Sequence, residues 1–195
     1  METVKVTIEG VTPLILNRFH DAAQISATTG TRASTSSERG TPQEQATLKL
    51  YTGADDKLVI PQPNVLSCLT AAGKFFKAGK SKVTTQKSSL IPACVEIEGV
   101  DIPLVHKQPW RVDGRPVRIP ATGGRILCYR PMFDDWALTF NLTLDTEVMT
   151  VKLLREIVDT AGKRIGLGDF RPDCKGPFGR FKVTHWKVSS VAHAA

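Results

Sequence analysis

Residues 162–181 read GKRIGLGDFRPDCKGPFGRF, and this stretch divides a helical pattern before it from a strand pattern after it. Five glycines (Gly162, Gly166, Gly168, Gly176, Gly179) are interspersed with Lys163, Arg164, Arg171, Lys175 and Arg180, and Lys182 lies just beyond. Only Asp169 and Asp173 oppose these cations. Glycine adopts backbone conformations closed to other residues and lets a ligand approach the main chain. Exposed amides in such a turn suit anions, and the flanking cations add net positive charge. Phe170, Phe178 and Phe181 alternate with the charges, so faces for base stacking are expected beside phosphate partners. The stretch therefore reads as a nucleic-acid loop; the plainer reading is a long turn with Phe181 in the core. A dinucleotide fingerprint does not fit, because Gly166-Leu167-Gly168 is followed by Asp169-Phe170-Arg171 and by no helix-forming run. The Walker spacing is absent too, since no Gly-Lys-Ser/Thr triplet follows a glycine at the required distance.

Upstream of the loop, Thr150 caps a helix with Val151, Leu154, Ile157, Val158 and Ala161 on one face, stopped by Gly162. Downstream, 181–188 is the last strand. The clearest other strands are 125–129 and 136–144, joined by a hairpin turn at 130–135. Residues 3–9 alternate, with Val4, Val6 and Ile8 on one face, and Thr12-Pro13 turns the chain into Leu14-Ile15-Leu16. Thr41-Pro42-Gln43-Glu44 is a capping box with proline at the first helical position, which predicts a helix over 42–51. A short strand at 58–60 precedes a second amphipathic pattern, Val65, Leu66, Leu69, Ala72 and Phe76, that frays near Gly79 and leaves a lysine run on a mobile loop. Weaker strand signals lie at 93–98, 102–105 and 115–119. Stripped of insertions, the order is strand, helix, strand, strand, helix, strand. This predicts an α+β fold, a ferredoxin-like (RRM-like) βαββαβ core with long insertions and a C-terminal glycine-rich loop. Its open sheet face is the surface with which RNA-recognition modules take single strands.

One domain over 1–195 is expected from length. Within it, 21–41 reads as a flexible insertion of Ser, Thr, Ala and Gly that cannot order itself alone, and 77–124 as basic insertion and loops. Of all residues 41% are hydrophobic, sufficient for a core at this size. Lys and Arg total 26 against 19 acids, a net charge of +7, and the cations cluster. Lys74, Lys77, Lys80, Lys82 and Lys87 run without an acid between them; Lys107, Arg111, Arg115, Arg118, Arg125 and Arg130 face only Asp113 up to residue 130. That distribution favours a polyanionic partner. Cys68, Cys94, Cys128 and Cys174 form no CxxC pair, and the histidines show no ligand spacing, so no metal or other cofactor is expected. Cys68 and Cys128 read as buried thiols of a reducing compartment. No signal pattern opens the sequence and no apolar run approaches membrane-spanning length, so the expectation is a cytoplasmic protein without membrane partners.

Three segments together resemble the RAMP superfamily, the repeat-associated proteins that build CRISPR ribonucleoproteins. IEGVTPLIL (8–16) looks like the family's opening strand and its Gly-x-x-Pro-Leu turn. VIPQPNVLSCLTAA (59–72) is similar to its strand-to-helix passage, although Gln62-Pro63-Asn64 and Thr70 stand where the family has Gly-Ser-Ser and Arg. GLGDFRPDCKGPFGRFKV (166–183) resembles its C-terminal glycine-rich loop and final strand. In style the chain is closest to the backbone subunits of multi-subunit effector complexes, or to a phage or mobile-element relative. The resemblance implies a protein that oligomerises along a guide RNA and inserts an extended projection between bases. The 21–41 insertion and the irregular 99–124 region are the segments available for such projections.

These readings predict a non-catalytic protein that binds single-stranded RNA or DNA, more simply RNA, with copies of itself in a filament or multi-subunit complex. Its expected contacts are Lys74, Lys77, Lys80, Lys82, Arg111, Arg115, Arg118, Lys163, Arg164, Arg171, Lys175 and Arg180 on phosphates, with Phe170, Phe178 or Trp110 under bases. Two alternatives stand beside this. One is a RAMP-type endoribonuclease in which His20, with Asp21 next to it, supplies acid–base chemistry. The other is a phage structural or assembly protein whose basic face meets an acidic partner.

Overall fold

The computed structural model describes residues 1–19, 40–118 and 123–190. The His20-Asp21 pair and all but the last two residues of the 21–41 insertion lie outside the described residues.

Alternation in β1 (Glu2–Gly10) drives Val4, Val6 and Ile8 to full burial. β10 (Trp136–Leu144) pairs antiparallel with β1 and sets Leu142, Phe140 and Leu138 opposite those three residues. Directly opposed residues share a face, so the six form one continuous apolar surface. β11 (Phe181–Ser190) flanks β1 on the other side, with a register shift between Thr7 and Ile8. The far edge of β10 is shared by β6 (Val95–Ile97) and β7 (Asp101–His106), and β3 (Val59–Pro61) pairs with β7. The principal sheet therefore runs β11-β1-β10-β7-β3, with β6 beside β10, and every one of these pairings is antiparallel.

Two helices join this apolar surface in the main core. α2 (Gln62–Gly73) contributes Val65, Cys68, Leu69 and Ala72, and α4 (Val151–Thr160) contributes Leu154, Ile157 and Val158. The Thr150 hydroxyl accepts the Leu153 amide and caps α4, as its position predicts. The Thr41 capping box is present with both of its bonds, but α1 covers only Pro42–Thr47, shorter than the expected 42–51. The chain is an α+β protein built on antiparallel sheets. Among the described residues no helix is long and apolar enough to cross a membrane.

Within 77–124 the strand signals at 93–98, 102–105 and 115–119 correspond to β6 and β7 of the principal sheet and β8 (Arg111–Arg118) of a second one. Three sequence expectations change. The lysine run is partly ordered into the two short strands β4 (Lys77–Ala78) and β5 (Ser81–Lys82). Residues 130–135 are not a hairpin turn: β9 (Arg125–Phe133) continues through Pro131 and pairs with β8 and with β2 (Leu14–Ile15). Proline's missing donor is tolerated there while its carbonyl accepts the Leu16 amide, and burial of Met132 and Phe133 holds the strand extended. The chain then changes sheets across Asp134-Asp135. Finally, Gly162 does not stop α4. The backbone runs on as a π turn over Ala161–Ile165 and ends at Gly166, whose φ is +76°.

The open face of the principal sheet carries Thr3, Lys5 and Thr7 of β1, Thr139, Asn141 and Thr143 of β10, and His185 and Lys187 of β11. On its three best-paired strands it offers no Phe, Tyr or Trp, and the His185 imidazole is its one ring. The stacking platform of RNA-recognition modules is therefore not reproduced on this face.

Candidate nucleic-acid interface

The glycine loop is locked to the segment after β1. Leu167 donates its amide to Gly179 O (2.9 Å), Gly179 to Pro13 O (2.8 Å) and Asp169 to Ile15 O (2.7 Å). Val11 donates to Arg180 O (2.7 Å), and the Arg180 amide donates to the Thr12 hydroxyl (3.0 Å). Such close seating requires glycine. A Cβ on Gly179 would lie 1.8 Å from Leu167 O and one on Gly168 2.3 Å from Ile15 O, and both residues have positive φ. The amides of Gly166, Phe170, Cys174, Lys175, Gly176 and Phe178 also donate within the protein. The expected concavity of open amides is thus largely closed by the loop's own packing.

What the loop forms instead is one wall of a cleft of about 370 Å³. Asn64, Ser67, Cys68 and Ala71 of α2 form the opposing wall, residues 165–169 with Arg171 the loop wall, and Leu16, Asn17, Tyr51 and Ile60 complete it. Residues 64, 67–68 and 71 recur at helical spacing and so share one face of α2. All three segments that carry the family resemblance meet here. The Cys68 thiol donates to Gly166 O at 3.2 Å. Burial pushes its pKa up to about 12, the Arg171 charge opposing and the Asp173 charge adding to that shift, so it stays a neutral thiol at the cleft wall.

Behind the loop lies a buried ion network. Arg130, 3 % exposed, donates through Nη2 to Asp113 Oδ2 (3.0 Å), its partner directly across β8–β9, and through Nη1 to Asp169 Oδ2 (2.7 Å). Arg115 Nε donates to the other Asp113 oxygen at 2.6 Å, and Asn17 Nδ2 to Asp169 at 3.0 Å. Burial acts to lower the Arg130 pKa, but the hydrogen bond and charge of Asp169, with the charges of Cys128 and Asp113, outweigh it and raise the value. Two arginines face two aspartates in this network, so its local charge cancels.

The structure distributes the residues expected from sequence as follows. Lys74 pairs with Asp173 (3.0 Å) and lies 5.3 Å from the Phe75 ring centroid, over which Arg164 also sits at 4.9 Å. Arg171 Nη1 donates to Gly168 O (3.0 Å), and Arg180 Nη1 to Lys163 O (2.7 Å). Lys163 and Lys175 are exposed. Arg115 lies over Phe178 at 4.6 Å, and Phe178 meets Phe170 at 6.0 Å, so these rings are engaged with the protein itself. Trp110 is partly buried against the core. Two separated cationic runs thus touch the glycine loop, one through Lys74 and the other through Arg115 and Arg130. Others do not join them: Lys77, Lys80 and Lys82 stand exposed on β4–β5, and Arg118 at the far end of β8. Arg111 makes a two-pronged bond to Asp134 (2.7 and 2.9 Å) that raises the arginine and lowers the carboxyl. Sequence reasoning missed Phe75, Asn17, Asn64 and Ser67; the helical spacing of residues 64, 67 and 71 was the signal available for two of them.

No family model and no curated protein matches the chain. Its fold does match a chain in the cryo-EM structure of the Type III-B Cmr-beta bound to cognate target RNA, with a TM-score of 0.59 and 12% identity. The match covers 96% of this protein and 60% of that chain, so this protein spans less than two thirds of its neighbour's length. The likeness is one of fold.

Proposed function

We propose that this protein is a non-catalytic binder of single-stranded nucleic acid, RNA in the first instance, and a backbone subunit of a CRISPR-type ribonucleoprotein in which copies of it follow one strand. The observation that carries this reading is the cleft between α2 and the glycine loop. It gathers all three RAMP-like segments, and Lys74, Arg164 and Arg171 stand on or beside its walls. The sheet order supports reading the core as ferredoxin-like: β1, α2, β6 with β7, β10, α4 and β11 correspond to its six elements. The fold neighbour's occurrence in a complex with target RNA supports RNA as ligand. Free thiols, four in all, suit a reducing compartment such as the cytoplasm.

Because the three best-paired strands of the open sheet face carry no Phe, Tyr or Trp, the strand is expected along the cleft rather than across the sheet. Titration of labelled single-stranded RNA at about 50 and 200 mM salt tests this, with log affinity falling against log salt by about 0.7 for each phosphate held. Changing Lys74, Arg164 and Arg171 together to Gln should reduce that slope by about 2. Binding weaker than micromolar with no salt dependence would reject the proposal.

A further inference from the structure

We infer that Phe75 is a base-stacking post at the mouth of the cleft, with Lys74 and Arg164 holding the phosphates on either side of the stacked nucleotide; this rests on the proposed binding of single strands. The helix decides the placement. Asn64, Ser67 and Ala71 share one face of α2 and line the cleft, and Lys74-Phe75 follow in the turn just past the helix end at Gly73, where the Phe75 amide donates to Ala72 O (3.1 Å). Arg164, next to the cleft-lining Ile165, sits over the ring at 4.9 Å and ties this turn to the loop wall.

Phe75 is 46% exposed, an unusual position for a phenylalanine flanked by two cations. The ring is not fixed by the core, since its neighbours Ala72 and Phe76 make the inward contacts. Lys74 and Arg164 lie within reach of its π system, and both side chains are long enough to exchange the ring for a phosphate. The pair Phe170–Phe178 is less suited to the role, because both rings are only partly exposed and pack against each other at 6.0 Å. Within the cleft Asp169 and Arg171 of the loop wall oppose each other in charge and face the neutral Asn64 and Ser67, a near-neutral lining that fits base edges or sugar hydroxyls better than a row of phosphates. The expected path therefore keeps phosphates at the rim and turns bases inward, beginning on Phe75.

The test uses the full chain and a labelled single-stranded oligoadenylate RNA, compared with the same strand carrying abasic sites. Phe75→Ala and Phe75→Leu should each weaken binding roughly five- to 150-fold, the range for loss of one base–aromatic stack, while leaving the salt slope unchanged. Phe75→Trp should restore it, and abasic RNA should bind wild type and Phe75→Leu equally. Thermal melting of each variant separates lost stacking from lost folding, and the leucine variant retains apolar bulk where alanine does not. If wild type binds the RNA and Phe75→Leu binds it equally well, the stacking post is wrong and the binding proposal stands. If Phe75→Leu weakens abasic and intact RNA alike, the ring acts structurally and the inference fails. If wild type does not bind, both fall.

Discussion

Replacing Arg130 by Met is the sharpest probe of how the glycine loop is held. The substitution removes two charge-assisted hydrogen bonds, 3.0 Å to Asp113 and 2.7 Å to Asp169, and leaves the 5%-exposed Asp113 carboxylate inside the protein. Removing one partner of a buried pair costs about 3–5 kcal/mol. Here the lower end applies: Arg115 still reaches Asp113 at 2.6 Å from a half-exposed position, and Asp169, 32% exposed, can be rehydrated. A loss of about 3 kcal/mol corresponds to roughly 6–12 °C in Tm for a chain of this size. Urea and thermal denaturation followed by circular dichroism would measure it. The double change Arg130→Met with Asp113→Asn should recover at least half of the loss, since the stranded charge, not the missing bond, dominates. A single variant melting within about 2 °C of wild type would refute the reasoning, as would a double variant no more stable than the single one.

The glycines make a second, internally controlled comparison. Gly179 and Gly79 both have positive φ, but a Cβ on Gly179 meets Leu167 O at 1.8 Å whereas one on Gly79 meets nothing within 4 Å. Gly79→Ala should cost about 1–2 kcal/mol from backbone conformation alone; Gly179→Ala should cost clearly more in the same unfolding assay and also weaken RNA binding. Thiol labelling of the native protein should modify exposed Cys174 first and leave Cys68 intact, because burial raises the Cys68 pKa to about 12. Cys174→Ser should remove the fast phase, which absorbance with an aromatic disulfide reagent would follow.

Where one local signal dominated, the sequence was a good guide. The alternation of Val4, Val6 and Ile8 and the Thr150 cap are set by neighbours a few residues away, and the structure reproduces both. The capping box at Thr41 started its helix correctly but could not say where it ends. Long-range burial was invisible. Arg130-Pro131 looked like a turn because proline and a charge usually sit at the surface, yet Asp113 and Asp169, 17 and 39 residues away, compensate the arginine inside. Clustering of cations along the chain also overstated their clustering in space: Arg111 is neutralised by Asp134, and only part of each basic run reaches the loop. The glycine-rich segment stands out by composition, but its glycines serve chiefly to let backbone pack on backbone, a role composition cannot distinguish from ligand approach.

Consider last the two-stranded ribbon of β8 and β9. Along β9 the side chains pass from exposed at Arg125, Ile126 and Leu127 to buried from Arg130 to Phe133. One end is rooted, and the other contributes nothing to the interior. Because opposite sides alternate with a period of two, the free end can grow or shrink by a matched residue pair per strand without turning any rooted side chain the wrong way. The reach of this arm can thus change without altering the stability of the body that carries it.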